Sequence, residues 1–345
     1  MKASTKISGL AQLGQWINHF LNTEEAQYTA DEQQFSEVLK RSEIENAWFT
    51  PESLRWALQQ WAKLLTEDQL QEWVSAYPTI DQPKRVGLIL AGNIPLVGFH
   101  DIISVVLSGH TPIIKCSSKD QRLIPYLMER WAAFCGGDLE YTLVERMENY
   151  DAIIATGSNN TARYLEYYFK KVPHIIRKNR TSVAVLRGDE TDEELQRLAQ
   201  DIFIYYGLGC RNVTRLFIPQ DFKLDRLFEN FFGFKDIIHH HQYANNYDYN
   251  KAVYLLNQEV FWDNNFVMLK EDERLFSPLA VIHFSRYERL EDALTIIDAH
   301  KEEIQCVAAA PRLGLEGSID FGQAQQPDLK TYADNVDTMK FLTSI

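Results

Sequence analysis

The chain has 345 residues, 45% hydrophobic and 24% charged, enough to bury a substantial core without disulfide or metal staples. With 48 acidic against 35 basic residues its formal net charge is -13, which argues against broad affinity for nucleic acid or anionic lipid. The four cysteines, Cys116, Cys135, Cys210 and Cys306, form no CxxC pair, so neither a zinc ribbon nor a disulfide framework is expected.

No stretch reaches the roughly 18 consecutive apolar residues of a membrane span. "MKASTKISGLAQLGQW" has no apolar run of signal-peptide type, and the expected location is the cytoplasm, where thiols stay reduced. The first 80 or so residues read as helical. Leu10, Leu13, Ile17, Phe20 and Leu21 follow a helical period, Thr50 and Pro51 open a second helix, and Thr66 with Gln69 predicts a capping box. After Pro83 the texture changes. "RVGLILAGN" suits a strand buried on both faces, "PLVGFHDIISVVLSG" a helix and "TPIIKCSS" a second buried strand, which makes one βαβ unit. A helix from about Lys119 to Phe134, strands in "EYTLVE" and "YDAIIATGS", a helix in "TARYLEYYFKK" and a strand in "TSVAVLRG" continue the alternation. This predicts an α/β fold with a doubly wound parallel sheet, whose ligands bind at the carboxyl ends of the strands.

A second α/β set follows. An acidic-capped helix runs into "GLGC", then come a strand in "VTRLFIP", a helix in "DFKLDRLFENFF", a strand in "SPLAVIHFS", a helix in "RLEDALTIIDAH" and a strand in "CVAAAP". The expected division is residues 1–185 as helical layer plus cofactor domain, 186–330 as a catalytic domain and 331–345 as a C-terminal tail.

Three strand ends and one turn carry the candidate chemistry. Cys210 follows Gly-Leu-Gly and precedes Arg211. It reads either as a buried thiol or as a nucleophile on a tight turn that lets the backbone approach a ligand. Asn93 ends the first strand and can aim its amide at an oxyanion, or serve only as a turn residue. "TGSNN" ends another strand before a helix, a turn that offers N–H groups to a phosphate. No G-x-G-x-x-G fingerprint is present. The histidines of "HHHQYANNYDYN" (239–250) lack the spacing of a zinc helix, and no metal is expected.

The order "GNIP" (92–95), "KCSS" (115–118), "ATGS" (155–158) and "GLGC" (207–210) resembles the aldehyde dehydrogenase superfamily, and within it the LuxC-type fatty acyl-CoA reductases. The resemblance spans roughly residues 80–345. It implies an aldehyde-dehydrogenase-like fold, Cys210 as nucleophile, and Asn93 with the Cys210 N–H as oxyanion hole. It also implies that Lys115 lies at the adenine-side ribose and Gly157 and Ser158 near the cofactor pyrophosphate.

Three departures refine this. The glutamate that hydrolyses the acyl-enzyme in aldehyde oxidisers has no counterpart in "HIIRKNRTS" (174–182), which suits acyl groups that arrive and leave on thiols. Ser118 stands where NAD-preferring members carry a ribose-binding glutamate, so NADPH is expected over NADH, with Lys115 or Lys119 available to its 2′-phosphate. Finally, "ERLFSP" (273–278) departs from the segment that holds the nicotinamide ribose, and Glu273 is not assigned a role.

The expected activity is NADPH-dependent reduction of an acyl-CoA to its aldehyde through a cysteine acyl-enzyme. Expected partners are the acyl-CoA, a second copy of the chain and an acyl-delivering protein. A cysteine acyltransferase or thioesterase without hydride transfer, or a non-catalytic dehydrogenase-like binding protein, stays open on the residues alone.

Overall fold

A computed structural model of the chain describes residues 3–345. It divides into two units, one running to Lys178 and including Asp328–Ile345, the other Asn179–Pro327.

The first unit begins with four helices: α1 (Ala3–Asn22), α2 (Ala30–Glu45), α3 (Pro51–Leu64) and α4 (Glu67–Ser75). α1 buries Leu10, Leu13, Ile17, Phe20 and Leu21, the stripe its periodicity predicts, and packs against α3. Thr50 caps α3 by accepting the Ser53 N–H, and Pro51 takes the first helical position. The expected box on α4 does not close. The Gln69 amide donates to the Thr66 hydroxyl and to the Lys63 carbonyl, each at 3.0 Å, and the Thr66 side chain accepts no backbone N–H of α4. A true capping box forms instead on α2, between Thr29 and Glu32.

Behind these helices lies a five-stranded sheet of β1 (Arg85–Ile89), β2 (Thr111–Lys115), β3 (Thr142–Leu143), β4 (Ala152–Thr156) and β5 (His174–Arg177). The strand order is β3-β2-β1-β4-β5 and every pairing is parallel. The crossovers are α5 (Phe99–Leu107), α6 (Leu123–Phe134) and α7 (Asn159–Phe169). β1, β2 and β4 are buried through their centres, as their continuous apolar runs require. The C-terminal segment is tied to this unit by the buried Arg177. Its guanidinium donates to Asp101 at 2.6 Å, to the Thr338 hydroxyl at 2.9 Å and to the Ala333 carbonyl at 2.7 Å.

The second unit holds β6 (Thr181–Val185), α8 (Asp192–Phe203), β7 (Val213–Pro219), α9 (Asp225–Phe231), α10 (His241–Leu256), β8 (Trp262–Asp263), β9 (Met268–Glu271), β10 (Val281–Tyr287), α11 (Leu290–Ala299) and β11 (Ile304–Ala309). Its sheet runs β11-β6-β7-β10-β9-β8, parallel except for the β8–β9 pair. One strand differs from the sequence expectation. Thr181–Val185 was expected to extend the first sheet, but it lies between β11 and β7 in the second. The strand that closes the first sheet is the four-residue "HIIR", whose alternating burial marks an edge. "EYTLVE" contributes only Thr142 and Leu143 to a ladder, both exposed. The apolar core of the second unit gathers Leu195, Leu198 and Ile202 of α8 with Leu216 and Ile218 of β7 and Phe284 of β10.

Candidate active site

In the first unit the register brings the predicted strand ends level. Ile89 pairs with both Lys115 and Ala155, and Thr156 pairs with Arg177. The loops that carry Asn93, Ser118, Gly157 and Ser158 therefore leave the same edge of the sheet, the carboxyl edge, on either side of the point where strand order reverses between β2-β1 and β4.

Asn93 is half-buried on the loop from β1 to α5. Three features hold that loop. The Asn46 amide donates to the Gly92 and Lys119 carbonyls, each at 3.3 Å, stapling it to the loop after β2. Gly92 allows the contact, since a Cβ there would lie 2.7 Å from the Ser117 side chain. The buried Asp120 carboxyl faces the Leu123, Leu96 and Ile124 N–H groups but leaves its Oδ1 without a hydrogen-bond partner, and burial pushes it up to about 6.

Lys115, half-buried, donates from Nζ to the Glu145 carbonyl at 2.8 Å, while Ser118 and Lys119 are exposed. The Gly157 N–H donates to the Arg177 carbonyl at 3.1 Å and so belongs to the ladder. The Ser158 hydroxyl accepts the Thr161 N–H at 3.3 Å and caps α7. What this turn offers an anion is therefore the amino end of the eleven-residue α7 itself.

Cys210 lies in the second unit, half-buried and free of any disulfide. α8 ends at Phe203, and the chain then turns through Tyr205 (φ 57°), Tyr206 (φ 59°) and Gly207 (φ 79°), three successive left-handed residues. Two tyrosines in that region store strain, on the order of 1–2 kcal/mol each. The turn is held from inside by Asn212, which is fully buried. Its Nδ2 donates to the carbonyls of Asp201 (3.1 Å), Ile202 (3.1 Å) and Ile204 (2.7 Å), and its Oδ1 accepts the Gly209 N–H at 2.8 Å. From the strand side, the Ser182 hydroxyl donates to the Cys210 carbonyl at 3.1 Å and touches Cys306 Sγ at 3.0 Å.

Burial pushes Cys116 up to about 11 and raises Cys135 and Cys306. Beneath the turn an apolar cleft of about 30 Å³, lined by Ile202, Tyr206, Gly207, Tyr243, Leu279 and Val281, has room for a methyl group or two.

The loop carrying Glu273 is pinned along its backbone. Arg215 donates to the Glu273 carbonyl at 2.5 Å, Thr214 to the Leu275 carbonyl at 2.8 Å, and His283 Nδ1 lies 2.9 Å from the Arg274 carbonyl, leaving the Glu273 side chain exposed. Of the three consecutive histidines, His240 caps α10 by accepting the Tyr243 N–H at 3.4 Å and His239 lies 3.7 Å from Asp236. No cluster of three or more potential metal ligands occurs among the described residues. Nor is any described helix long and apolar enough to cross a membrane.

The sequence reading missed Asn212, Asp201 and Asn46. Asp201 had a visible signal. It sits among Leu195, Leu198, Ala199 and Ile202 on the apolar face of an amphipathic helix, where an acid needs a buried partner. Asn212 and Asn46 had none, since isolated asparagines beside turns are ordinary.

The pattern that defines the acyl-CoA reductase (LuxC) family matches residues 15–227. Among solved structures, aldehyde dehydrogenase 21 from Physcomitrella patens, in complex with the reaction product succinate, is similar with a TM-score of 0.67 at 11% identity, over 100% of this chain and 84% of that one. A Mycobacterium tuberculosis aldehyde dehydrogenase complexed with NAD+ is similar with a TM-score of 0.61 at 12% identity, over 90% and 73%. The NAD+ complex of a Bacillus cereus aldehyde dehydrogenase reaches 0.60 at 11% identity, over 90% and 72%. At such identities the likeness establishes the fold. No curated protein sequence matches the chain.

Proposed function

The chain belongs to the LuxC family of acyl-CoA reductases, and from that premise we propose that it reduces a fatty acyl-CoA to the aldehyde through an acyl-enzyme on Cys210, with NADPH as cofactor in preference to NADH. The first unit is the cofactor half and the second the catalytic half.

The residues of the first unit fit a dinucleotide. Parallel strands end level at a reversal of strand order, the α7 amino end is exposed there, and Lys115 and Lys119 lie at the end of β2 and on the loop after it, on the same sheet edge. Lys115 and Ser118 would hold the adenosine side, and the Gly157–Ser158 turn the pyrophosphate. Position 118 is a serine rather than a carboxylate, and Lys115 and Lys119 are available to a 2′-phosphate, which supports NADPH.

The observation that carries the reading is the Cys210 turn, a half-buried thiol on backbone forced through three left-handed residues and clamped by a buried asparagine. Strain of this kind concentrates where a side chain must be presented in one geometry. The Cys210 thiolate attacks the thioester carbonyl, and the carbon–sulfur bond to coenzyme A breaks as its thiolate leaves. Asn93 and the Cys210 N–H donate to the tetrahedral oxyanion, by the resemblance already drawn. The bound nicotinamide cofactor supplies the hydride for the acyl carbon. Cys210 is then expelled as thiolate when the aldehyde carbonyl forms. The stretch 174–182 contributes no carboxylate to activate water, so the acyl-enzyme is not directed to hydrolysis.

The test is spectrophotometric. Acyl-CoAs of graded chain length are mixed with the protein and NADPH or NADH, and 340 nm absorbance, free thiol and aldehyde are followed. Loss of absorbance in step with aldehyde formation supports the proposal. Coenzyme A release at constant absorbance would replace it with a thioesterase or acyltransferase. Cys210→Ala is expected to abolish aldehyde and the labelled acyl-enzyme while nucleotide binding persists. Asn93→Ala is expected to slow turnover by roughly two to three orders of magnitude.

A further inference from the structure

A closed circuit of hydrogen bonds surrounds the nucleophile turn, and none of it belongs to the chemistry assigned so far. Asp201, in the last turn of α8, is fully buried. Its two carboxylate oxygens accept backbone N–H groups from one short strip, Gly322 at 2.7 Å and Ala324 at 2.8 Å. The carbonyl of that same Ala324 accepts the Nε–H of Arg211, the residue that follows Cys210. Asp201 therefore reaches Arg211 through three residues of strip, and the Cys210 turn lies in the chain between them. The carboxylate and the guanidinium also attract each other.

The strip is itself fitted closely. Gly322 is left-handed (φ 86°), and a Cβ there would come within 3.1 Å of the Arg197 side chain. Next in the strip is Gln325, buried with its Nε2 making no hydrogen bond.

We propose that Asp201 is a positioning residue for Cys210, holding the 322–324 strip so that Arg211 locks the downstream side of the nucleophile turn while Asn212 locks the upstream side. A buried carboxylate with two backbone donors is a stiff anchor, because each charge-assisted bond is short and strong and neither oxygen can turn away without orphaning a donor. Misplacing a reacting atom by even about 1 Å can cost about 100-fold in rate. The inference rests on Cys210 being the nucleophile.

The full-length protein is tested by alkylating Cys210 with iodoacetamide across pH, with peptide mapping by mass spectrometry, alongside acyl-CoA turnover and thermal unfolding. Asp201→Asn keeps the shape but places an amide N–H against the strip donors. Arg211→Gln cuts the strap at its other end and leaves Asp201 in place, so it reads the circuit even if the Asp201 variant folds poorly.

Both variants are expected to lower kcat by about 10–100-fold and to change the rate and pH profile of Cys210 alkylation. In the double variant the losses are expected not to multiply, because both substitutions open one circuit. Lower melting temperature with an unchanged Cys210 alkylation profile would reduce Asp201 to a structural staple and overturn the proposal. Multiplying losses in the double variant would overturn the shared circuit. If Cys210→Ala keeps turnover, the nucleophile assignment fails, and the positioning role with it. If Cys210 is labelled and essential but indifferent to both variants, only the positioning role fails.

Discussion

Replacing Asn212 by alanine is expected to loosen the Cys210 turn. The carboxamide has no exposure to water: its two N–H groups are shared among the Asp201, Ile202 and Ile204 carbonyls, and its oxygen accepts the Gly209 N–H. Alanine leaves the buried Gly209 N–H unpaired, at about 1–3 kcal/mol, and forfeits about 1 kcal/mol for the 2.7 Å bond to Ile204. The strain of the left-handed Tyr205 and Tyr206 is then no longer opposed from inside. The two losses sum to about 2–4 kcal/mol. Asn212→Asp keeps the acceptor, but it sets a buried charge against three carbonyl oxygens and should destabilise at least as much.

The readout must report the second unit. Six of the seven tryptophans lie in the first unit and only Trp262 in the second, so bulk fluorescence reads the wrong half. Hydrogen exchange of peptides spanning 201–212, together with urea denaturation followed by circular dichroism, addresses the turn directly. Unchanged exchange in that peptide and a stability within about 1 kcal/mol of the parent would refute the clamp.

Gly92→Ala places a Cβ 2.7 Å from the Ser117 side chain, and is expected to cost about 1–3 kcal/mol and to weaken nucleotide binding, checked by denaturation and fluorescence titration. Iodoacetamide at pH 8 should modify Cys210 well before Cys116, which burial and the neighbouring Asp120 push up to about 11, leaving about one thiolate per thousand; peptide mapping that finds Cys116 first would contradict this. Asp201 is raised by burial from its ordinary 3.8 to about 6, so its contribution to stability is complete below about pH 4 and is lost as pH rises through 6, about 3 kcal/mol in all. The parent should accordingly gain on Asp201→Asn as pH falls from 7 to 4, and a gain in the opposite direction in paired denaturation curves would reject the raised value.

The carboxyl ends of β1, β2 and β4 were legible because their apolar runs are continuous and stop at Gly-Asn, Lys-Cys-Ser and Thr-Gly-Ser, and a parallel sheet brings such endings to one edge. The membership of Thr181–Val185 was not legible for the same reason. A strand buried on both faces reads identically in any parallel sheet, and only the tertiary pairing with β7 and β11 assigns it. The four-residue β5 was overlooked because "HIIR" is too short for its alternation to stand out.

The Cys210 turn was half legible. Gly-Leu-Gly before Cys210 announced a close turn, yet of these two glycines only Gly207 is left-handed, and the residues beside it that share the conformation are Tyr205 and Tyr206. Local preference would place glycine or asparagine at such positions. Here the bonds that hold the tyrosines come from a residue beyond the cysteine, so the conformation belongs to Asn212 and the buried end of α8 rather than to the tyrosines. A turn whose shape depends on partners on both sides of Cys210 cannot relax on one side alone, which is why the geometry around Cys210 should respond to Asp201 and Arg211 as well as to Asn212.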